Sequence, residues 1–379
     1  MDALVIGGGP AGASLATLLA RAGRSVEVIE KSAAAHDGLC GEFLSGEAIR
    51  YLRLLGVDPG ELGASPIHNI RLARDRRLGE CALPFTGMSL ARRILDEALL
   101  NAARDAGATV TRGVRVESLR CERGEWIALL ADGHERRASS AFLATGKHDL
   151  HGWPRPAGKQ PNLIAFKMYF RPALGNEAEI ADRVELVLFP GGYAGLLLLP
   201  GGTLNVCLLT QRSVFQRLGS RWPNLLAHIQ SASPYFARHL EGATALLEKP
   251  LALSSIPYGH LCSRAPDDLW RLGDQAAVIP SFSGDGISIA LHSAFLAASY
   301  FLEGRSANDF QQHLSAQLRR PLRTATSISR LMTAAPSLAR GVRLWPGILG
   351  GITQQTRIPT AALLTPVIAF EGDGLQPVH

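Results

Sequence analysis

The sequence predicts an α/β fold: a Rossmann-like nucleotide-binding domain, an inserted antiparallel-sheet domain and C-terminal helices. Three observations predict it. Residues 4–31, LVIGGGPAGASLATLLARAGRSVEVIEK, read as strand, glycine turn, helix, strand and acid. Residues 141–146, AFLATG, are an apolar run that ends on small residues. Residues 162–210 then change character, with short apolar runs separated by Gly191-Gly192 and Gly201-Gly202.

Each part of the first unit has a physical task. Gly7 allows the tight turn, Gly9 lets backbone approach a pyrophosphate, and Gly12 lets helix and strand pack closely. Pro10 and Ala11 open the helix, whose unpaired N–H groups and partial positive charge suit that pyrophosphate. Glu30 stands where a carboxylate accepts ribose hydroxyls, with Lys31 next to it. An acid there suits a free 2′-hydroxyl, as in FAD or NAD, and argues against NADPH in this site. The unit alone does not separate FAD from NAD. Ala144-Thr145-Gly146 places a second small-residue turn at the carboxyl edge of the same sheet, within reach of the same cofactor.

Between these, helices are expected over 46–55 and 90–106 and strands over 67–72, 81–83, 109–114 and 116–121. Asp132-Gly133 predicts a hairpin between strands 126–130 and 138–143. The middle predicts strands at 163–170, 184–189, 194–199 and 204–209, forming an antiparallel sheet. Helices follow over 214–218 and 224–231, with a further strand at 252–256. Strand 269–272 then feeds Gly273-Asp274, and a helix covers 287–302. Past Phe310 the pattern is helical, with Leu314, Leu318, Leu322, Ile328 and Leu331 at helical spacing, until Pro336, Pro346 and Pro359 break it. The expected domains are 1–160 with 257–305 for the nucleotide, 161–256 for the substrate and 306–379 as a helical region. Residues 65–90 fit either of the first two.

Of 379 residues, 46% are hydrophobic, enough for a large core, and Lys plus Arg exceed Asp plus Glu by 39 − 33 = 6. The basic excess is spread along the chain without blocks or interleaved aromatics, which excludes a nucleic-acid partner. It suits an anionic cofactor. The five cysteines are odd in number and show no CxxC or zinc spacing, so a reduced cytoplasm and no metal are expected. The late apolar run 358–370 is broken by Pro359 and Pro366 and is shorter than the ~20 residues of a membrane span. Arg319, Arg320, Arg323, Arg330, Arg340 and Arg343 make the last helices basic. A packed helical subdomain is the first reading and peripheral membrane contact the second. The oligomeric state is not legible.

Three stretches together carry a family resemblance: Gly7–Gly12 (GGGPAG), Arg92-x-x-Leu95-Asp96, and Gly273-Asp274-x₅-Pro280-x₃-Gly284-x-Gly286-Ile287. They resemble the glutathione-reductase-2 type flavoproteins, which include the p-hydroxybenzoate-hydroxylase-fold monooxygenases, the flavin halogenases and the geranylgeranyl reductases. The resemblance spans residues 1 to about 302 and implies FAD. It further implies that Asp274 binds the ribityl chain and that Arg92 lies near the cofactor. The turn at Gly284–Ile287 would offer helix N–H groups to the flavin's N1/C2 carbonyl edge, where a reduced flavin carries negative charge. Leu39-Cys40-Gly41-Glu42 is similar to the Cys-Gly segment of the geranylgeranyl-reductase-like members. Leu188-Phe189-Pro190, followed by Gly192-Tyr193, is similar to their Phe-Pro motif, which would put Phe189, Pro190 and Tyr193 in the substrate cavity. Two departures stand out. Glu185-x-Val187 replaces the usual Tyr-x-Trp, and the Trp-x-Trp-x-Ile-Pro motif of halogenases is absent.

What the resemblance implies is an FAD-dependent oxidoreductase reduced by NADH or NADPH and acting on a lipophilic or aromatic small molecule. A monooxygenase working through a flavin C4a-hydroperoxide is the first reading. A reductase of carbon–carbon double bonds in isoprenoid-like substrates is the second, and a non-catalytic flavin sensor or electron carrier the third. Cys40 is the candidate catalytic residue, with a cavity-lining role as its bland alternative. Glu42 reads equally as a ligand contact or a surface carboxylate, Lys167 as an outward, solvated lysine ahead of one turned into the sheet's cavity, and Asp285 as a helix cap ahead of a base.

Overall fold

The computed structural model describes residues 1–265, 267–334 and 355–363. Its first layer is a five-stranded parallel sheet in the order Trp270–Arg271, Ser140–Leu143, Ala3–Ile6, Val26–Glu30, Thr109–Arg112. The central strand Ala3–Ile6 is buried along its whole length, as a parallel strand covered on both faces must be. The helix Pro10–Arg21 starts with proline in its first turn, where no N–H is needed, and is followed by Gly23 at φ 74°. It packs against the helices Arg92–Asp105 and Gly286–Leu302. Their shared core includes Leu15, Leu19, Leu99, Phe142 and Leu291. Each fully buried leucine of this kind contributes on the order of 2 kcal/mol from burial.

The hairpin at Asp132-Gly133 pairs Glu125–Leu130 with Glu135–Ala138, not with the expected partner over 138–143. Ser140–Leu143 instead pairs in parallel with Ala3–Ile6. The expected strand divides at Ser139: Ala138 ends one sheet and Ser140 begins another.

The second layer is a nine-stranded sheet. Its main path runs Thr244–Ala245, Leu163–Arg171, Thr203–Gln211, Gly192–Leu199, Arg183–Phe189, Ser65–Arg74, Arg77–Ser89, Phe43–Leu44, and Leu251–Ser254 also pairs with Leu163–Arg171. The four strands expected from the middle of the sequence are all present, in antiparallel register. The sheet as a whole is mixed through one parallel pair. Arg183–Phe189 pairs in parallel with Ser65–Arg74 because that hairpin arrives from an earlier part of the chain and joins the edge. The helices Trp222–Ala232 and Pro234–Leu240 cover the back of this sheet, where Leu225, Ile229 and Phe236 meet Val187, Phe189 and Val206.

The helix Ala307–Ala334 buries Phe310, Leu314, Leu318 and Leu322 against the first layer and leaves Arg319, Arg320, Arg323 and Arg330 exposed. Pro336, Pro346, Arg340, Arg343 and residues 364–370 of the apolar run lie outside the described residues. Among the described residues no helix is long and apolar enough to cross a membrane.

Candidate active site

The carboxyl ends of the parallel strands open on a crevice, the place where ligands bind open α/β sheets. Gly7 has φ 107°, and a Cβ there would lie 2.5 Å from the Ala144 carbonyl oxygen. A Cβ at Gly12 would lie 1.9 Å from the Gly7 oxygen, so that glycine is required by the approach of helix to strand. Gly9 differs. The nearest atom to a Cβ there is Arg92 Nη2 at 3.8 Å, and the space belongs to the crevice. Glu30 is pinned by two backbone donors, Gly8 N at 2.7 Å and Ser32 N at 2.8 Å, so its carboxylate faces the crevice in one orientation.

The opposite wall is stapled from several strand ends. Gln275 Nε2 donates to the carbonyls of Gly146 and His148 at 3.0 and 2.9 Å. Lys147 Nζ lies 3.2 Å from Asp274 Oδ2, and Arg155 donates to the carbonyls of Asp274 and Lys147 at 2.7 and 2.8 Å. Arg92 is held by Asp96 through two bonds of 2.8 Å.

The crevice continues into an apolar arm, and together they form a cavity of about 920 Å³. The arm runs between the two layers. Ile70, Leu72, Leu83 and Phe85 come from the early hairpin, Val184, Leu186 and Leu188 from one face of a middle strand, and Ile328, Leu331 and Met332 from the last helix. Tyr193 lines it as expected, its hydroxyl 3.1 Å from Ser281 Oγ, and burial raises that phenol above its usual range.

Phe189 and Pro190 do not line the cavity, which corrects the expectation from the Phe-Pro segment. Successive strand side chains point to opposite faces, so with Leu188 forward Phe189 faces back, edge-on to the His228 ring. Pro190 is exposed in the turn beyond. Pro280 also stays out of the cavity: its carbonyl accepts bonds from Ser283 and so shapes the turn ahead of the helix Gly286–Leu302. The remaining expected cofactor positions other than Gly12, namely Gly7, Gly9, Pro10, Ala11, Glu30, Lys31, Cys40, Gly41, Arg92, Ala144–Gly146, Gly273, Asp274, Gly284, Gly286 and Ile287, all line it.

Residues 1–144 match the family described as FAD binding domain. This stretch is an FAD-binding domain. The chain is 27% identical over 353 residues to the menaquinone reductase of Mycobacterium tuberculosis, covering 88% of this chain and 84% of that one. Among solved structures, it superposes on the myxobacterial chondrochloren halogenase with a TM-score of 0.76 at 17% identity, covering 96% of this chain and 94% of that one. A geranylgeranyl bacteriochlorophyll reductase-like protein from Thermoplasma acidophilum gives a TM-score of 0.72 at 18% identity, with the same coverage of 96% and 94%. These likenesses show the fold, and with the domain match they make the flavoprotein an FAD-dependent oxidoreductase.

The crevice of the flavoprotein fits FAD on its own geometry. Gly9 and Gly286 present bare backbone, with no protein atom nearer than 3.8 Å to a Cβ at the first and none within 4 Å at the second, at two helix N-termini that face one cavity. Such termini favour negative charge, which a pyrophosphate carries and a reduced flavin gains.

Cys40 is a free thiol at the junction of crevice and arm. It hydrogen-bonds the Arg92 side chain, and its Sγ accepts from Glu42 N at 3.3 Å. The loop that carries it is tied down by Glu42, which is fully buried at φ 62°. The Glu42 carboxylate accepts from Tyr169 Oη at 2.7 Å, Arg92 N at 2.8 Å and Asn205 Nδ2 at 3.0 Å, and pairs with Lys167 Nζ at 3.0 Å. Lys167 is also fully buried, its ammonium donating to the Gly38 carbonyl at 2.9 Å and lying 4.4 Å from the Tyr169 ring centre. The outward lysine and the surface carboxylate of the sequence reading are both corrected. The two charges find each other only when the nine-stranded sheet closes over the loop. A second cysteine, Cys207, also lines the cavity, but burial pushes its thiol up to about 12, so it stays protonated.

Sequence reasoning missed the hairpin side chains Ile70, Leu72, Leu83 and Phe85 as cavity walls. The one available signal was the uncertain domain assignment of 65–90.

Proposed function

We propose that this FAD-dependent oxidoreductase adds hydrogen across a carbon–carbon double bond in an isoprenoid-type chain, in a quinone or a related lipid. The observation that carries this reading is the apolar arm. Its walls are mostly aliphatic, with Phe85 and Tyr193 among them, and they line one cavity with the crevice, a lining that suits a hydrocarbon. Similarity over most of its length to a menaquinone reductase supports it. The monooxygenase reading uses the same crevice and is the competing outcome of the test below.

Gly7, Gly9, Glu30, Arg92 and Gly286 would hold FAD, which when bound and reduced would supply the hydride for one carbon of the double bond, while the neighbouring carbon takes a proton. The chain's own part is to seat the hydrocarbon between Leu72, Leu188 and Met332, to exclude water, and to hold Cys40 where crevice and arm meet. The Cys40 thiol would move that proton, a role supported by its position in the lining of the same cavity. Cys40→Ala is expected to keep FAD and to slow turnover by roughly a hundredfold, the usual weight of one positioned proton-transfer group. Turnover equal to that of the parent protein would reduce Cys40 to packing.

The deciding experiment mixes the reduced protein with a menaquinone-type quinone in the absence of oxygen. Reoxidation of the flavin, with a product that stays heavier by two hydrogens by mass spectrometry after its quinone ring has been reoxidised, is the expected result, and a gain of two hydrogens lost on that reoxidation would mean reduction of the ring alone. A product that forms only in air and carries an added oxygen atom would replace this reading with the monooxygenase.

A further inference from the structure

Asp285 occupies the N-cap position of the helix Gly286–Leu302, yet its side chain makes no capping bond. An aspartate at that position ordinarily accepts from the second or third N–H of its helix. This one faces the cavity instead. It is 2% exposed, and its Oδ2 has no hydrogen-bond partner. A buried, unpartnered carboxyl oxygen needs a ligand atom to satisfy it. The neighbours are Ser283, whose Oγ accepts from Asp285 N at 3.3 Å, and Thr356, whose hydroxyl meets the carboxyl. No cation is among the groups bonded to it in the described residues. Arg357, next to Thr356, is taken by Glu47 and lies 3.5 Å above the Phe85 ring.

We propose that Asp285 donates a hydrogen bond from its carboxylic acid to the pyrimidine edge of the bound flavin, and so favours the reduced cofactor. The acceptor would lie in front of the helix N-terminus, whose Gly286 and Ile287 line the same cavity as Asp285. Burial drives the carboxyl well above the ordinary range, and the two hydroxyl contacts oppose this only in part. The same burial favours the acid form, which has a hydrogen to give. Charge on the N1/O2 edge grows on reduction, so a donor there binds the reduced form more tightly than the oxidised one. The inference rests on FAD binding in this cavity and not on the identity of the substrate.

The sign of one measurement separates the alternatives. The midpoint potential of bound FAD is titrated without substrate in the parent protein, Asp285→Asn and Asp285→Ala. A neutral donor predicts that Asp285→Ala lowers the potential, with reduced FAD losing about tenfold in affinity relative to oxidised FAD, or about 30 mV for a two-electron couple. Asp285→Asn keeps an N–H donor of similar shape and is expected to recover most of that loss. An ionised carboxylate would repel the reduced flavin, so both variants would raise the potential, and that result overturns the proposal. Three equal potentials would overturn it too, by showing that Asp285 does not touch the flavin. If Asp285→Ala fails to hold FAD, Asp285→Leu, which also lacks a donor, takes its place beside Asp285→Asn and is expected to lower the potential in the same way.

Discussion

Gly9→Val is expected to give a folded protein that no longer binds FAD. The backbone at Gly9 has φ −73° and ψ −174°, a conformation open to any residue. The nearest protein atom to an added Cβ is 3.8 Å away, so the valine meets no wall in the protein itself. It projects into the crevice, where the pyrophosphate must approach the backbone. The expected loss in FAD affinity is at least about a hundredfold, or about 2.7 kcal/mol. The stability of the apoprotein should fall by no more than about 1 kcal/mol, from the poorer cap. Gly12→Ala is the contrast. Its Cβ would sit 1.9 Å from the Gly7 oxygen, so it should damage folding, not only binding. Flavin absorbance at full stoichiometry in purified Gly9→Val would remove the phosphate-turn assignment.

The largest stability effect is expected at the buried pair Glu42–Lys167, and it should be asymmetric. Glu42→Gln removes the charge that compensates Lys167 and leaves that ammonium with the Gly38 carbonyl and the Tyr169 ring. Stranding a buried charge in this way costs about 3–5 kcal/mol. Lys167→Met is expected to cost less, about 1–3 kcal/mol. The carboxylate it leaves behind still accepts from Tyr169, Asn205 and the Arg92 amide. The double variant should regain part of the Glu42→Gln loss, because it buries no uncompensated ammonium. Denaturant unfolding of the three variants measures this. Equal stability of Glu42→Gln and the parent protein would mean that the pair does not hold the Cys40 loop.

Much of the nucleotide crevice was legible in the sequence, because its requirements are local. A turn at φ 107°, a helix packed within contact of a strand and a backbone left bare each demand glycine at one position. Gly7, Gly9 and Gly12 stand where those demands fall. Glu30 closes the unit because the next strand must end beside the first, which the short helix between them enforces. The same locality made Leu163–Arg171, Arg183–Phe189, Gly192–Leu199 and Thr203–Gln211 readable as strands.

The cavity was less legible, because both faces of its sheet are apolar. Val184, Leu186 and Leu188 on one side and Val187 and Phe189 on the other give alternation no contrast to report. Only the docking of the helices Trp222–Ala232 and Pro234–Leu240 behind the sheet decides which set faces the substrate.

The sequence by itself determined the βαβ unit, its anion-binding turn and the existence of a second sheet, since steric and periodic constraints act between near neighbours in the chain. Tertiary structure alone decided that Lys167 and Glu42 are buried partners, that the hairpin over 65–89 walls the cavity, and that Asp285 lines the cavity without capping its helix. Those outcomes depend on burial and on charges brought together from distant parts of the chain. Solvation of a side chain is a property of its surroundings and not of its residue type.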